Sequence, residues 1–108
     1  MTLDIHIAKS EKEAIKEAPI SFFSEEVHNS LFYCFGLSEF RYPLFFRMKD
    51  YYSDAKYEVK EIETLILEMQ KIKIEFIENK KIITELENLK SIAIKAQKEN
   101  LNIWVYCD

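Results

Sequence analysis

Glycine is nearly missing from this chain: one residue in 108, where average usage of about 7% would supply seven or eight. That scarcity argues against Gly-rich phosphate loops and most glycine-built active sites. Histidine and arginine are equally sparse, with only His6, His28, Arg41 and Arg47. The two cysteines, Cys34 and Cys107, are far apart and form no Cys-x-x-Cys, and neither histidine stands at metal-ligand spacing from them. Two free thiols and no metal or other cofactor are therefore expected. The longest unbroken apolar run is Leu31–Phe35, far short of the roughly twenty residues that cross a bilayer. The opening Met1-Thr2-Leu3-Asp4 lacks the basic and apolar regions of a secretory signal, so the cytoplasm is the expected compartment.

What is present suits one domain spanning residues 1–108. Hydrophobic residues make up 48% of the chain, near the globular average, and the length is that of a typical domain. The formal charge of −4 is unevenly spread. Residues 1–40 carry net −4, residues 41–60 carry net +2, and residues 61–108 carry net −2. No Lys/Arg-dense patch appears, so a nucleic-acid partner is not expected, nor is a membrane.

Local pattern places the elements. Leu3, Ile5 and Ile7 alternate with Asp4 and His6, a strand with one apolar face. Ser10 and Glu13 have capping-box spacing and open a short helix from Glu11 to about Ala18, ended by Pro19. Ser24 caps a second helix with Glu25 and Glu26 in its first turn; Val27, Leu31, Cys34 and Phe35 form its apolar stripe, and Gly36 closes it. The run Leu44–Met48 reads as a short buried strand, and residues 49–57 as a loop that can end in extended residues at Tyr57 and Val59. From Glu61 to about Glu78, Ile62, Leu65, Ile66, Met69, Ile72 and Phe76 share a helical stripe; Ile82, Ile83, Leu86, Leu89, Ala93 and Ala96 form another. A helical hairpin is preferred over one long bent helix. Leu101–Tyr106 closes as a strand, with Trp104 and Tyr106 on the face opposite Ile103 and Val105.

The expected order is β-α-α-β-α-α-β. It implies an α/β fold, or α+β as the alternative, with a three-stranded parallel or mixed sheet and helices packed on it.

The densest cluster of reactive groups is Asp50-Tyr51-Tyr52-Ser53-Asp54, with Tyr57 nearby. It lacks the alternating oxygen ligands and central glycine of a calcium loop, and no nucleophile accompanies its carboxylates. Tyrosine supplies large contact area with a hydroxyl at little entropy cost. Asp50, Tyr51, Tyr52, Asp54 and Tyr57 are therefore the candidate partner-binding residues. His6 and His28 read as satisfied or surface side chains.

The stretch Tyr42-Pro43-Leu44-Phe45-Phe46-Arg47-Met48-Lys49-Asp50-Tyr51-Tyr52-Ser53-Asp54-Ala55-Lys56-Tyr57, with the helix opening Glu61-Ile62-Glu63-Thr64-Leu65 and the closing strand Leu101–Tyr106, resembles small bacterial immunity proteins of polymorphic-toxin and contact-dependent inhibition systems. The resemblance covers roughly residues 42–108. It implies a non-enzymatic protein that holds a cognate toxin domain inactive in the producing cell. An acidic inhibitor would suit a basic toxin. The competing expectation is a small regulatory or scaffold module, a monomer or a homodimer formed through the helices of residues 61–99.

Overall fold

The computed structural model describes residues 2–50 and 54–107. Its centre is β1 (Thr2–Ala8), paired on one side with β2 (Ser21–Ser24) and on the other with β4 (Asn102–Cys107); β3 (Ala55–Tyr57) lies outside β4. The sheet thus has four strands in the order β2-β1-β4-β3, with every neighbouring pair antiparallel.

Two expectations are corrected here. The sheet has four strands, and it is antiparallel, so the class is α+β. The parity of the connections explains the direction. β3 leads into two long antiparallel helices, α3 (Val59–Glu75) and α4 (Lys80–Glu99), before β4 begins. With each element running back along the one before it, three reversals leave β4 antiparallel to β3. Between β1 and β2, α1 (Glu11–Lys16) rises only ~9 Å, too little to run back along a seven-residue strand, so it serves as part of a turn. The strand β2 escapes pattern reading because its four residues carry a single alternation, Phe22 out and Phe23 in.

Residues 44–48 are not a strand. They form a 3₁₀ turn, Phe45–Met48, which sends Phe45 and Met48 into the core at i, i+3. Its first N–H groups find their acceptor on a helix instead of a neighbouring strand, because the Glu68 carboxylate takes them.

The second helix, α2 (Glu25–Asn29), runs on into a π-helical turn, Ser30–Cys34, closed by Gly36 at φ +63°. Leu37 N–H donates to the Leu31 carbonyl at 3.0 Å, one residue wider than the six-to-one bond of a glycine-closed α-helix end. A π turn takes an extra residue per turn. The expected stripe therefore rotates: Leu31 and Phe32 are buried, while Cys34 and Phe35 face outward.

The helical hairpin is as expected. Ile62, Leu65, Met69 and Ile72 of α3, and Ile82, Leu86, Ala93 and Ala96 of α4, are buried against Leu3, Ile5, Ile103 and Val105 of the sheet in one contiguous core. The Glu61 carboxylate accepts from the Glu58 N–H at 3.0 Å to start α3. The Asn79 side chain accepts from Ile82 N–H to start α4, and Asn100, in the left-handed region at φ 58°, ends it. The segment from α2 to the 3₁₀ turn fills the end of this sandwich, with Phe45 packed on Phe32 at 5.6 Å and on Phe23 of β2 at 6.0 Å.

Candidate interaction surface

A strand alternates its side chains, and β1 and β4 put their apolar sets toward the helices. Their other sets, Asp4, His6 and Ala8 with Trp104 and Tyr106, form the opposite face of the sheet, where His6 pairs with Trp104 and Asp4 with Tyr106. Among the described residues the short α1 lies over this face, setting Ala14 against Ala8 and Trp104. Trp104 is accordingly buried, with its indole N–H donating to the Ala8 carbonyl at 3.0 Å and the Lys56 ammonium 4.8 Å from its ring centre.

Away from α1 the face is open. Phe22 stands opposite Asp4, and Asp4 opposite Tyr106. One residue before β3, Asp54 falls at the next register position, because Ala55 pairs with Val105. A row Phe22–Asp4–Tyr106–Asp54 thus crosses the whole sheet. Phe22 is 52% exposed, an apolar group that folding leaves unused. Asp54 accepts from the Cys107 N–H at 3.1 Å, which ties the start of β3 to the end of β4.

Among the described residues two polar atoms on this face lack partners. The Tyr106 hydroxyl and His6 Nδ1 are buried and make no hydrogen bond, although their rings meet edge-on at 5.3 Å. Burial pushes the Tyr106 hydroxyl pKa up, and the charges of Glu11 and Asp54 push it the same way. The Cys107 thiol is also raised, by desolvation first and then by its hydrogen bond to Asp54. The surroundings of Tyr106 are therefore aromatic and acidic.

Of the residues expected from sequence, Asp54 belongs to this row and Asp50 is exposed at the end of the 3₁₀ segment. Tyr51 and Tyr52 lie outside the described residues. Tyr57 is not a surface group: it is fully buried, donates from its hydroxyl to the Leu44 carbonyl at 2.7 Å, and has its pKa raised by that burial. Its inward turn follows from pairing with Ile103, which faces the core. Asp4 and Tyr106 were not singled out. The outward direction of Asp4 and Tyr106 was readable in the alternation, but their adjacency depends on the pairing of the first and last strands.

His28 is a core residue. Its Nε2–H donates to the Met48 carbonyl at 2.6 Å and its ring packs against Phe23 and Phe32. Cys34 and Cys107 are free and exposed. Among the described residues no cluster of histidine, cysteine or carboxylate side chains could hold a metal ion, and no helix is long and apolar enough to cross a membrane.

The two sheet edges are blunted by side chains. On the β3 edge the Arg47 guanidinium donates to the Lys56 carbonyl at 3.0 Å, and on the β2 edge the Glu85 carboxylate accepts from the Ser24 N–H at 2.7 Å. Such caps oppose strand addition by another chain. Comparison with protein families, with curated proteins and with solved structures finds no match to this chain.

Proposed function

We propose that this chain is a non-enzymatic immunity protein that binds and neutralises a cognate bacterial toxin domain in the cytoplasm of the producing cell, through the open face of its sheet. The observation that carries the reading is the row Phe22–Asp4–Tyr106–Asp54, an exposed aromatic followed by carboxylates around a buried, unpartnered hydroxyl. Aromatic anchors ringed by charge are the composition of interface hot spots. The acidic groups favour a basic partner and speed its encounter. Asp50, whose charge also acts on the Cys107 thiol at the end of β4, adds to the same acidic surroundings.

The test is co-expression with the C-terminal domain of the toxin encoded beside this gene. Cells should survive and a complex should purify. Phe22→Ala combined with Asp54→Lys should abolish rescue while the protein stays folded by circular dichroism. Cell death in the presence of the unaltered protein, with no complex recovered, overturns the reading.

The competing reading, a regulatory or scaffold module that homodimerises through residues 61–99, has one observation behind it. The stripe Ile62–Leu65–Met69–Ile72 is occupied by the chain's own core, but Leu67 and Ile74 remain exposed on the outer side of α3. Light scattering distinguishes the two: a dimer that Ile74→Glu converts to a monomer would favour the module.

A further inference from the structure

The glutamates of the helical hairpin are not evenly placed. Glu61 grips Arg47, Glu68 takes the Leu44 and Phe45 N–H groups, Glu75 accepts from the Tyr42 hydroxyl and Glu85 from the Ser24 N–H. All four are turned toward the rest of the protein as ties. Among the lysines of the same helices Lys81 also reaches across, to Glu26 of α2, whereas Lys71, Lys73, Lys90 and Lys98 fall on the solvent side. There, Glu63 holds Gln97 and Glu87 holds Lys73, bonds that bridge α3 to α4. Lys71, Lys90 and Lys98 make no ion pair among the described residues. A protein of net −4 therefore presents a basic outer helix face.

Aliphatic groups stand among those lysines. Leu67 and Ile74, seven apart on α3, are 48% and 72% exposed, and Ile94 of α4 is 45% exposed. Leu67 lies between Glu63 and Lys73 along α3, and Ile94 between Glu87 and Gln97 along α4, so both flank the seam that the two ties define. Helices of 17 and 20 residues give a groove ~25 Å long.

We propose that this solvent face of the α3–α4 hairpin is a second docking surface, and that its occupant is an acidic amphipathic helix of a partner protein. An apolar ridge on that helix would lie along the seam over Leu67, Ile74 and Ile94, with its carboxylates reaching the unpaired lysines on either side. This is helix-in-groove recognition with charges arranged to fix the partner's sign. A nucleic acid fits less well, since α3 and α4 carry no arginine and no aromatic side chain to stack on bases. A second copy of the chain would bring lysines against lysines. The surface lies on the opposite side of the molecule from the open sheet face and does not depend on what binds there.

The test is an NMR titration of the full ¹⁵N-labelled chain with an 18-residue synthetic peptide, leucine at i, i+3, i+4, i+7 and glutamate elsewhere. A scrambled peptide of the same composition is the control. Saturable shifts are expected at Leu67, Lys71, Ile74, Lys90 and Ile94, with at least tenfold weaker binding for the scrambled peptide and for the double variant Lys71→Glu/Lys90→Glu. Ile74→Ser should weaken binding while keeping the charge. No shift, shifts confined to the sheet face, or equal binding of both peptides overturns the proposal. So does preferential binding to phosphatidylserine vesicles, which would assign the face to a membrane instead.

Discussion

Glu68 accepts a hydrogen bond from the backbone N–H of Phe45 at 2.9 Å, across 23 residues of sequence. The same carboxylate takes the Leu44 N–H at 3.1 Å and is almost fully buried. It does for the 3₁₀ turn what an N-cap side chain does for a helix, but from a different element. Charge-assisted bonds of this kind contribute about 1.5–3 kcal/mol, and orphaned buried donors cost about 1–3 kcal/mol. Glu68→Ala should therefore destabilise the fold by about 3 kcal/mol in urea unfolding, and Glu68→Gln, which keeps an acceptor, by clearly less. A cost below about 1 kcal/mol for the alanine variant would show that the turn holds without its cap.

Arg47 and Glu61 form a two-pronged pair at 3.0 and 2.5 Å, and the arginine also holds the Lys56 carbonyl. The guanidinium hydrogen bonds are the main cause that draws the Glu61 carboxyl down to about 2. A depressed carboxylate pKa adds stability above its unfolded value near 4.5, and that stability is lost as pH falls toward about 2. Stability measured from pH 5 to pH 2 should decline, and Glu61→Gln should flatten the decline. An unchanged slope in the variant would assign the acid limb to other groups.

His28 titrates in a different window. Burial lowers its pKa below 6.5, against the opposing pull of the Met48 and Lys49 carbonyls. The folded state thus disfavours the charged ring, while the unfolded chain binds the proton from about 6.5 downward, so stability is present above that pH and lost below it. The imidazole C–H signals should titrate with a midpoint under 6.5. A midpoint at or above 6.5 would mean that the ring is charged in the fold.

How much of this was legible varies with the kind of signal. The α3–α4 hairpin was readable because Ile62, Leu65, Met69 and Ile72 repeat at helical spacing, and the ends of the shorter helices because the caps at Ser10, Ser24 and Gly36 are local. The direction of the strands was not, since it follows from how many times the chain turns back. Residues 44–48 look like a strand until Glu68 supplies an acceptor from another element. At the surface, the outward set of each strand was readable one strand at a time. The row from Phe22 to Asp54 was not, because it exists only once the first and last strands pair. Tyr57 shows the reverse error: a residue chosen for its chemistry that register turns inward.

Gly36 separates conformational from steric cost. Nothing lies within 4 Å of where a β-carbon would stand, yet φ is +63°. Gly36→Ala should cost about 1 kcal/mol from the left-handed backbone alone. Gly36→Asn should cost less, because asparagine tolerates that region, as Asn100 does at the end of α4. Equal costs for alanine and asparagine in thermal unfolding would point to a contact rather than to the backbone.

Tyr106 tests whether the open face is built for a partner rather than for the fold. Its hydroxyl is buried without a hydrogen bond, between the charges of Glu11 and Asp54. A buried hydroxyl left unpaired costs stability, so a residue of the same shape without it should not be worse. Tyr106→Phe should leave the free protein as stable as before, or more stable by up to about 1 kcal/mol. If the hydroxyl meets a donor on the proposed partner, the same change should weaken the complex about tenfold, in line with one lost hydrogen bond of about 1.4 kcal/mol. The two measurements, unfolding of the free chain and titration of the complex, must move in opposite directions. A variant that loses stability would make the hydroxyl structural, and one that binds with unchanged affinity would remove Tyr106 from the contact.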